Sequence, residues 1–141
     1  MYQVLGRGIT NDLQLNKVGK SLFGKQWLGV FPVDVKPARF LANVQPGKLN
    51  YAIINVDGQS DPGSHWLSVI FDASNNKYYI YDSFARRLKR LIPKFVKTIG
   101  FNYITMNGGS DQKNSSMDCG ARSMSVLLFV AKHGLTPAMM I

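Results

Sequence analysis

The chain has 141 residues, 45% of them apolar, and 17 Lys and Arg against 8 Asp and Glu give it a net charge of +9. This fits one globular domain, residues 1–141, whose basic surface attracts polyanions. One cysteine and two histidines exclude an internal disulfide, a cysteine-rich zinc site and most histidine metal clusters, and the longest apolar run, residues 126–131, is far too short to cross a bilayer.

Residues 10–24 predict a helix capped by Thr10 or Asn11, with Leu13, Val18, Leu22 and Phe23 near helical spacing and Gly24 as its stop. Residues 27–40 are broken by Pro32 and Pro37 and are expected as an extended connection. Residues 51–56 have a buried-strand pattern. Residues 65–73 and 77–83 are rich in aromatic and β-branched residues and form a hairpin joined by SNN. In residues 85–100, Leu88, Leu91, Ile92, Phe95, Val96 and Ile99 mark an amphipathic helix that Pro93 can kink. Residues 102–107 form a further strand. A last helix opens at Cys119 and stops at Gly134 and Pro137. It is apolar nearly all round, so it is expected to be central and buried. The fold class is α+β: a small, mainly antiparallel sheet packed against a buried helix with the cysteine at its N-terminus.

Asp118 occupies the N-cap position and Cys119 the first turn of that helix, where the positive end of the dipole stabilises a thiolate. A cysteine alone can equally be a small buried apolar residue. His65 begins one strand of the hairpin and Asp82 ends the other. Hairpin geometry brings those two positions to one end of the sheet, where a carboxylate can hold an imidazole in the tautomer that accepts a thiol proton. Each alone has a plain structural use, but three such residues, each at an element end, point to nucleophilic catalysis. His133 lies in a last helical turn, where the dipole suits it, and is read as structural.

The order His65-Trp66, Asp82, Gln112 and Cys119-Gly120, carried by "GSHWLSVIFD", "YYIYDSF" and "DQKNSSMDCG", resembles the adenovirus-type maturation proteases. More broadly it is similar to the proteases that process ubiquitin-like modifiers, and to the papain-like fold. The upstream "LFGKQWLGVFPVD" looks like the version found in virophages and Polinton-type elements. The resemblance implies Cys119 as nucleophile, His65 as general base and Asp82 as its orienting acid. It implies Gln112 as an oxyanion donor with the Cys119 backbone N–H, and Trp66 as a wall of the site. It further implies cleavage at Gly-Gly or Gly-X-Gly sites in viral capsid precursors. Residues 4–8 (VLGRG) and 106–110 (MNGGS) look like such sites within the chain itself.

No cofactor or membrane partner is expected, and a monomer in the virion or in the host cytoplasm or nucleus is implied, not a secreted protein. The adenovirus enzymes are stimulated by DNA and by a peptide linked through a second cysteine. With one cysteine, that linkage is excluded for a monomer that reserves Cys119 as its nucleophile. Arg86, Arg87, Lys89, Arg90, Lys94 and Lys97 crowd one predicted helix. They read either as a solvated face or as a stripe for sequence-independent contact with DNA phosphates. Alternatives are a protease for ubiquitin-like modifiers, an acyltransferase on the same triad, and a non-catalytic DNA-binding domain.

Overall fold

The computed structural model describes residues 12–56, 66–82, 93–100, 102–106 and 119–134. In chain order these form α1 (Asp12–Phe23), a 3-10 turn (Gly24–Gln26), β1 (Trp27–Pro32), α2 (Pro37–Phe40), β2 (Leu49–Asn55), β3 (Trp66–Asp72), β4 (Lys77–Tyr81), α3 (Pro93–Thr98), β5 (Tyr103–Thr105) and α4 (Cys119–His133). The strands make a five-stranded sheet in the order β1-β2-β3-β4-β5.

The fold is α+β, as the sequence pattern predicts. The central pairings, β2 with β3 and β3 with β4, are antiparallel. The edge pairings, β1 with β2 and β4 with β5, are parallel. Parallel neighbours need crossovers, and each of these carries a short helix, α2 or α3. Residues 27–40, expected as a connection, divide into β1 and α2. Pro32 permits this because it ends a strand at the sheet edge, where a missing N–H is tolerated.

Every residue of β3 is buried, because both faces of the sheet are covered. Leu67, Val69 and Phe71 pack with Phe40, Phe95, Val96 and Ile99 on the α2 and α3 side. Trp66 and Ile70 pack with Leu15, Phe23, Met124, Leu127 and Val130 on the α1 and α4 side. At the far end of the hairpin, Asp72 accepts hydrogen bonds from the Ser74 N–H (3.1 Å), the Ser74 hydroxyl (2.7 Å) and the Asn75 amide (2.7 Å). Burial raises the Asp72 carboxyl, but these bonds outweigh it and hold its pKa below the ordinary carboxylate value.

Two helices differ from the sequence expectation. In α1 the buried residues are Leu15, Gly19 and Phe23, while Leu13 is 79% exposed and Leu22 38% exposed. The reason is Trp27, whose ring lies on Gly19: a Cβ there would sit 2.2–2.4 Å from three indole atoms. The Trp27 indole N–H donates to Asn16 Oδ1 at 2.8 Å, so the ring is held in place. Gly19→Ala is therefore expected to cost about 1–3 kcal/mol by overpacking. Urea denaturation measures it, and an unchanged midpoint would mean that the ring gives way freely.

In α4, Ser123, Met124, Leu127 and Val130 are buried, but Ser125, Ala131, Lys132 and His133 are exposed. It is thus one-sided rather than buried all round. α4 stops where expected: Gly134 adopts φ +85° and its N–H returns to the Val130 carbonyl at 2.7 Å. The predicted caps Thr10 and Asn11, and residues 85–92 of the predicted amphipathic helix, lie outside the described residues. Pro93 is the first described residue of α3, so the kink expected there also falls outside them.

Candidate active site

Asp82 follows Tyr81, the last residue of β4, and is only 2% exposed. Tyr81 pairs with Ser68, two residues into the neighbouring strand from Trp66. The hairpin therefore sets Asp82 and the start of β3 at the same end of the sheet, as the sequence predicts. Trp66, expected to wall the site, is 2% exposed and belongs to the core under α4. It supports that end of the sheet from within.

Cys119 is the first residue of α4. The helix lies across β3 and is tied to it by a reciprocal pair of buried hydrogen bonds. The Ser68 hydroxyl donates to the Ser123 carbonyl at 2.7 Å, and the Ser123 hydroxyl donates to the Trp66 carbonyl at 2.9 Å. Ser68 is 0% exposed and Ser123 1% exposed, so both bonds are shielded from competing water. Ser123 is one turn beyond Cys119, and Trp66 adjoins His65 in sequence. The clamp thus joins the helix turn carrying the cysteine to the strand start next to the histidine.

A second tie comes from α1. Asp12 accepts the Trp66 indole N–H at 2.7 Å and the Asn55 amide at 3.0 Å and 3.2 Å. Asn55 and Trp66 face each other across β2 and β3. Sequence reasoning missed Asp12, Asn55, Ser68 and Ser123 as supports of the site. For the serines a signal existed: a hydroxyl inside the apolar run WLSVIFD, or at the head of an apolar helix, must find a partner once buried. Asp12 gave none, since an acid in a first helical turn is already explained by the dipole.

His65 and Gln112 lie outside the described residues, as do Arg86, Arg87, Lys89 and Arg90, residues 4–8 and all of MNGGS beyond Met106. Lys94 and Lys97 are exposed on α3. They line a groove with Lys36, Asp34, Pro37 and Thr98, so a third lysine joins them from the β1–α2 connection. Among the described residues, no three His, Cys, Asp or Glu side chains converge as a metal site would require, and no helix is long and apolar enough to cross a membrane. The frame thus places a cysteine at the start of a helix and a buried aspartate just past the end of a strand.

Comparison with known proteins bears on that chemistry. The profile of the adenovirus endoprotease family matches residues 27–126, a span that includes His65, Asp82, Gln112 and Cys119. Among solved structures, the chain is similar to ChlaDub1 from Chlamydia trachomatis, with 17% identity over 72% of this chain and 54% of that one, at a TM-score of 0.47. It is also similar to the SUMO protease Ulp1, in a structure whose catalytic cysteine is oxidised to a sulfinic acid. There the identity is 19% over 62% of this chain and 43% of that one, at a TM-score of 0.42. The chain spans about half the length of these two structures.

Proposed function

Because this chain belongs to the adenovirus endoprotease family, we propose that it is a cysteine endopeptidase that matures viral capsid precursors by cutting at Gly-Gly or Gly-X-Gly sites. Cys119 is the nucleophile, and His65 takes its proton. The thiolate attacks the scissile carbonyl carbon, and the resulting oxyanion is held by the Gln112 side-chain amide and the Cys119 backbone N–H. His65 then gives its proton to the leaving amine, and a thioester remains on Cys119. Water activated by the same imidazole hydrolyses the thioester, releasing the acid and the free thiol. Asp82 orients the imidazole and stabilises its charged form.

One observation carries the proposal. The ordered set falls inside the family span, and its described members stand at element ends, with Asp82 directly after β4 and Cys119 opening α4. The decisive experiment incubates the protein with a capsid precursor bearing Gly-X-Gly sites and, separately, with a ubiquitin-like modifier fused through Gly-Gly. Cleavage of the precursor alone is the expected result. Cleavage of the fusion alone would assign the chain to modifier processing. Cleavage of neither, with Cys119 inert to iodoacetamide below pH 8, would overturn the protease proposal.

The basic residues Arg86, Arg87, Lys89, Arg90, Lys94 and Lys97 are proposed to contact DNA phosphates without reading bases. Support comes from the net charge of +9 and from the groove that adds Lys36 to Lys94 and Lys97. Binding to duplex DNA is expected to weaken steeply with salt. Lys94→Ala and Lys97→Ala should each reduce the slope of log K against log salt by about one. Salt-independent binding, or an unaltered slope in both variants, excludes these contacts.

A further inference from the structure

Trp66 is gripped at both ends. Its carbonyl receives the Ser123 hydroxyl of α4, and its indole N–H is received by the Asp12 carboxylate of α1. The same carboxylate takes the amide of Asn55, itself 2% exposed and paired with Trp66 in the sheet. Asp12 therefore joins the ends of α1, β2 and β3 beside residue 65. One turn further along α1, Asn16 accepts the indole N–H of Trp27. Two oxygens on one helix, four residues apart, thus hold both tryptophans of the chain. α1 lies upstream of the span matched by the family, which begins at residue 27.

We propose that Asp12 is a positioning residue for catalysis, and that α1 is an N-terminal brace which sets the histidine end of β3. The inference rests on the protease proposal for its activity readout. A charged acceptor at 2.7 Å from a buried indole N–H forms a stronger and more directional bond than a neutral one. It fixes the Trp66 ring, and with it the backbone from which His65 departs. Asn16 makes the matching bond to a tryptophan at the opposite end of the strand run, away from residue 65. It therefore serves as an internal control in which an α1-to-indole bond is lost away from residue 65.

The test compares Asp12→Ala, Asp12→Asn, Trp66→Phe and Asn16→Ala. Cleavage of a fluorogenic Gly-Gly peptide is followed, together with iodoacetamide labelling of Cys119 across pH. Asp12→Ala is expected to lower kcat by about 10–100-fold with KM little changed, since misplacement of a reacting group acts on the chemical step. The labelling midpoint should move up by about one pH unit as the thiolate loses its imidazolium partner. Asp12→Asn keeps an acceptor oxygen and should recover most of the rate. Trp66→Phe removes the donor and should reproduce Asp12→Ala, with no further loss in the double variant. Asn16→Ala should lower the melting temperature while leaving kcat and the labelling midpoint in place.

Should Asp12→Ala not fold, Trp66→Phe carries the same test. Wild-type kcat and labelling in Trp66→Phe, or equal kcat losses in Asp12→Ala and Asn16→Ala, would overturn the inference. A wild-type protein without a reactive thiolate would instead refute the protease proposal, so the two failures are separable.

Discussion

Cys119→Ala is expected to abolish peptide cleavage, lowering kcat by at least about 10⁴-fold, with the far-UV circular dichroism unchanged. No other thiol exists in the chain to replace it. His65→Ala should cost a similar amount, because an unactivated thiol is mostly protonated at neutral pH. The informative variant is the double one. Nucleophile and base act as a unit, so removing both should cost little more than removing either. Losses that multiply would mean that His65 and Cys119 act independently, and the assignment of His65 as base would fail. Asp82→Asn keeps the volume of a side chain that is 2% exposed but favours the wrong imidazole tautomer. A loss of about 10²–10⁴-fold in kcat is expected from it.

Ser123→Ala should produce the next largest effect, although its side chain touches no substrate. The substitution removes a buried donor to the Trp66 carbonyl, at a cost of about 1–3 kcal/mol in stability. It also loosens the turn of α4 that begins at Cys119 from the strand that begins beside His65. A displacement of roughly 1 Å between reacting groups is enough for about a 10²-fold loss in rate. Ser68→Ala breaks the other half of the clamp. A double-mutant cycle should return a coupling of about 0.5–3 kcal/mol, since the two bonds share a buried network. Chemical denaturation and steady-state kinetics on the same four proteins measure both effects. A loss of stability with kcat intact would make the clamp purely structural.

The residues that could be read from the chain share one property: their meaning is local. Cys119 at a helix start, Asp82 at the end of the β4 run and the SNN turn between two β-rich segments all follow from near-neighbour chemistry. So does the α4 stop at Gly134, whose φ of +85° is the conformation a helix end asks of glycine. The pairing of β3 with β4 follows as well, because a short turn leaves no other partner so close.

Other features depend on what comes from far along the chain. The buried stripe of α1 runs through Gly19 rather than Leu13 or Leu22, because a distant indole occupies the space that a side chain would fill. β1 reads as a broken connection until the sheet edge makes Pro32 harmless. The parallel edges arise from crossovers whose landing sites no local pattern encodes.

The site divides in the same way. Ordered residue types and element ends are written along the chain, because caps, turns and apolar periodicity act over a few residues. The frame that holds those ends in register is written in pairs 43 to 57 residues apart: Asn55 with Asp12, Trp66 with Asp12, Ser68 with Ser123, and Ser123 with Trp66. A buried hydroxyl or carboxylate must find a partner, but only packing decides which one.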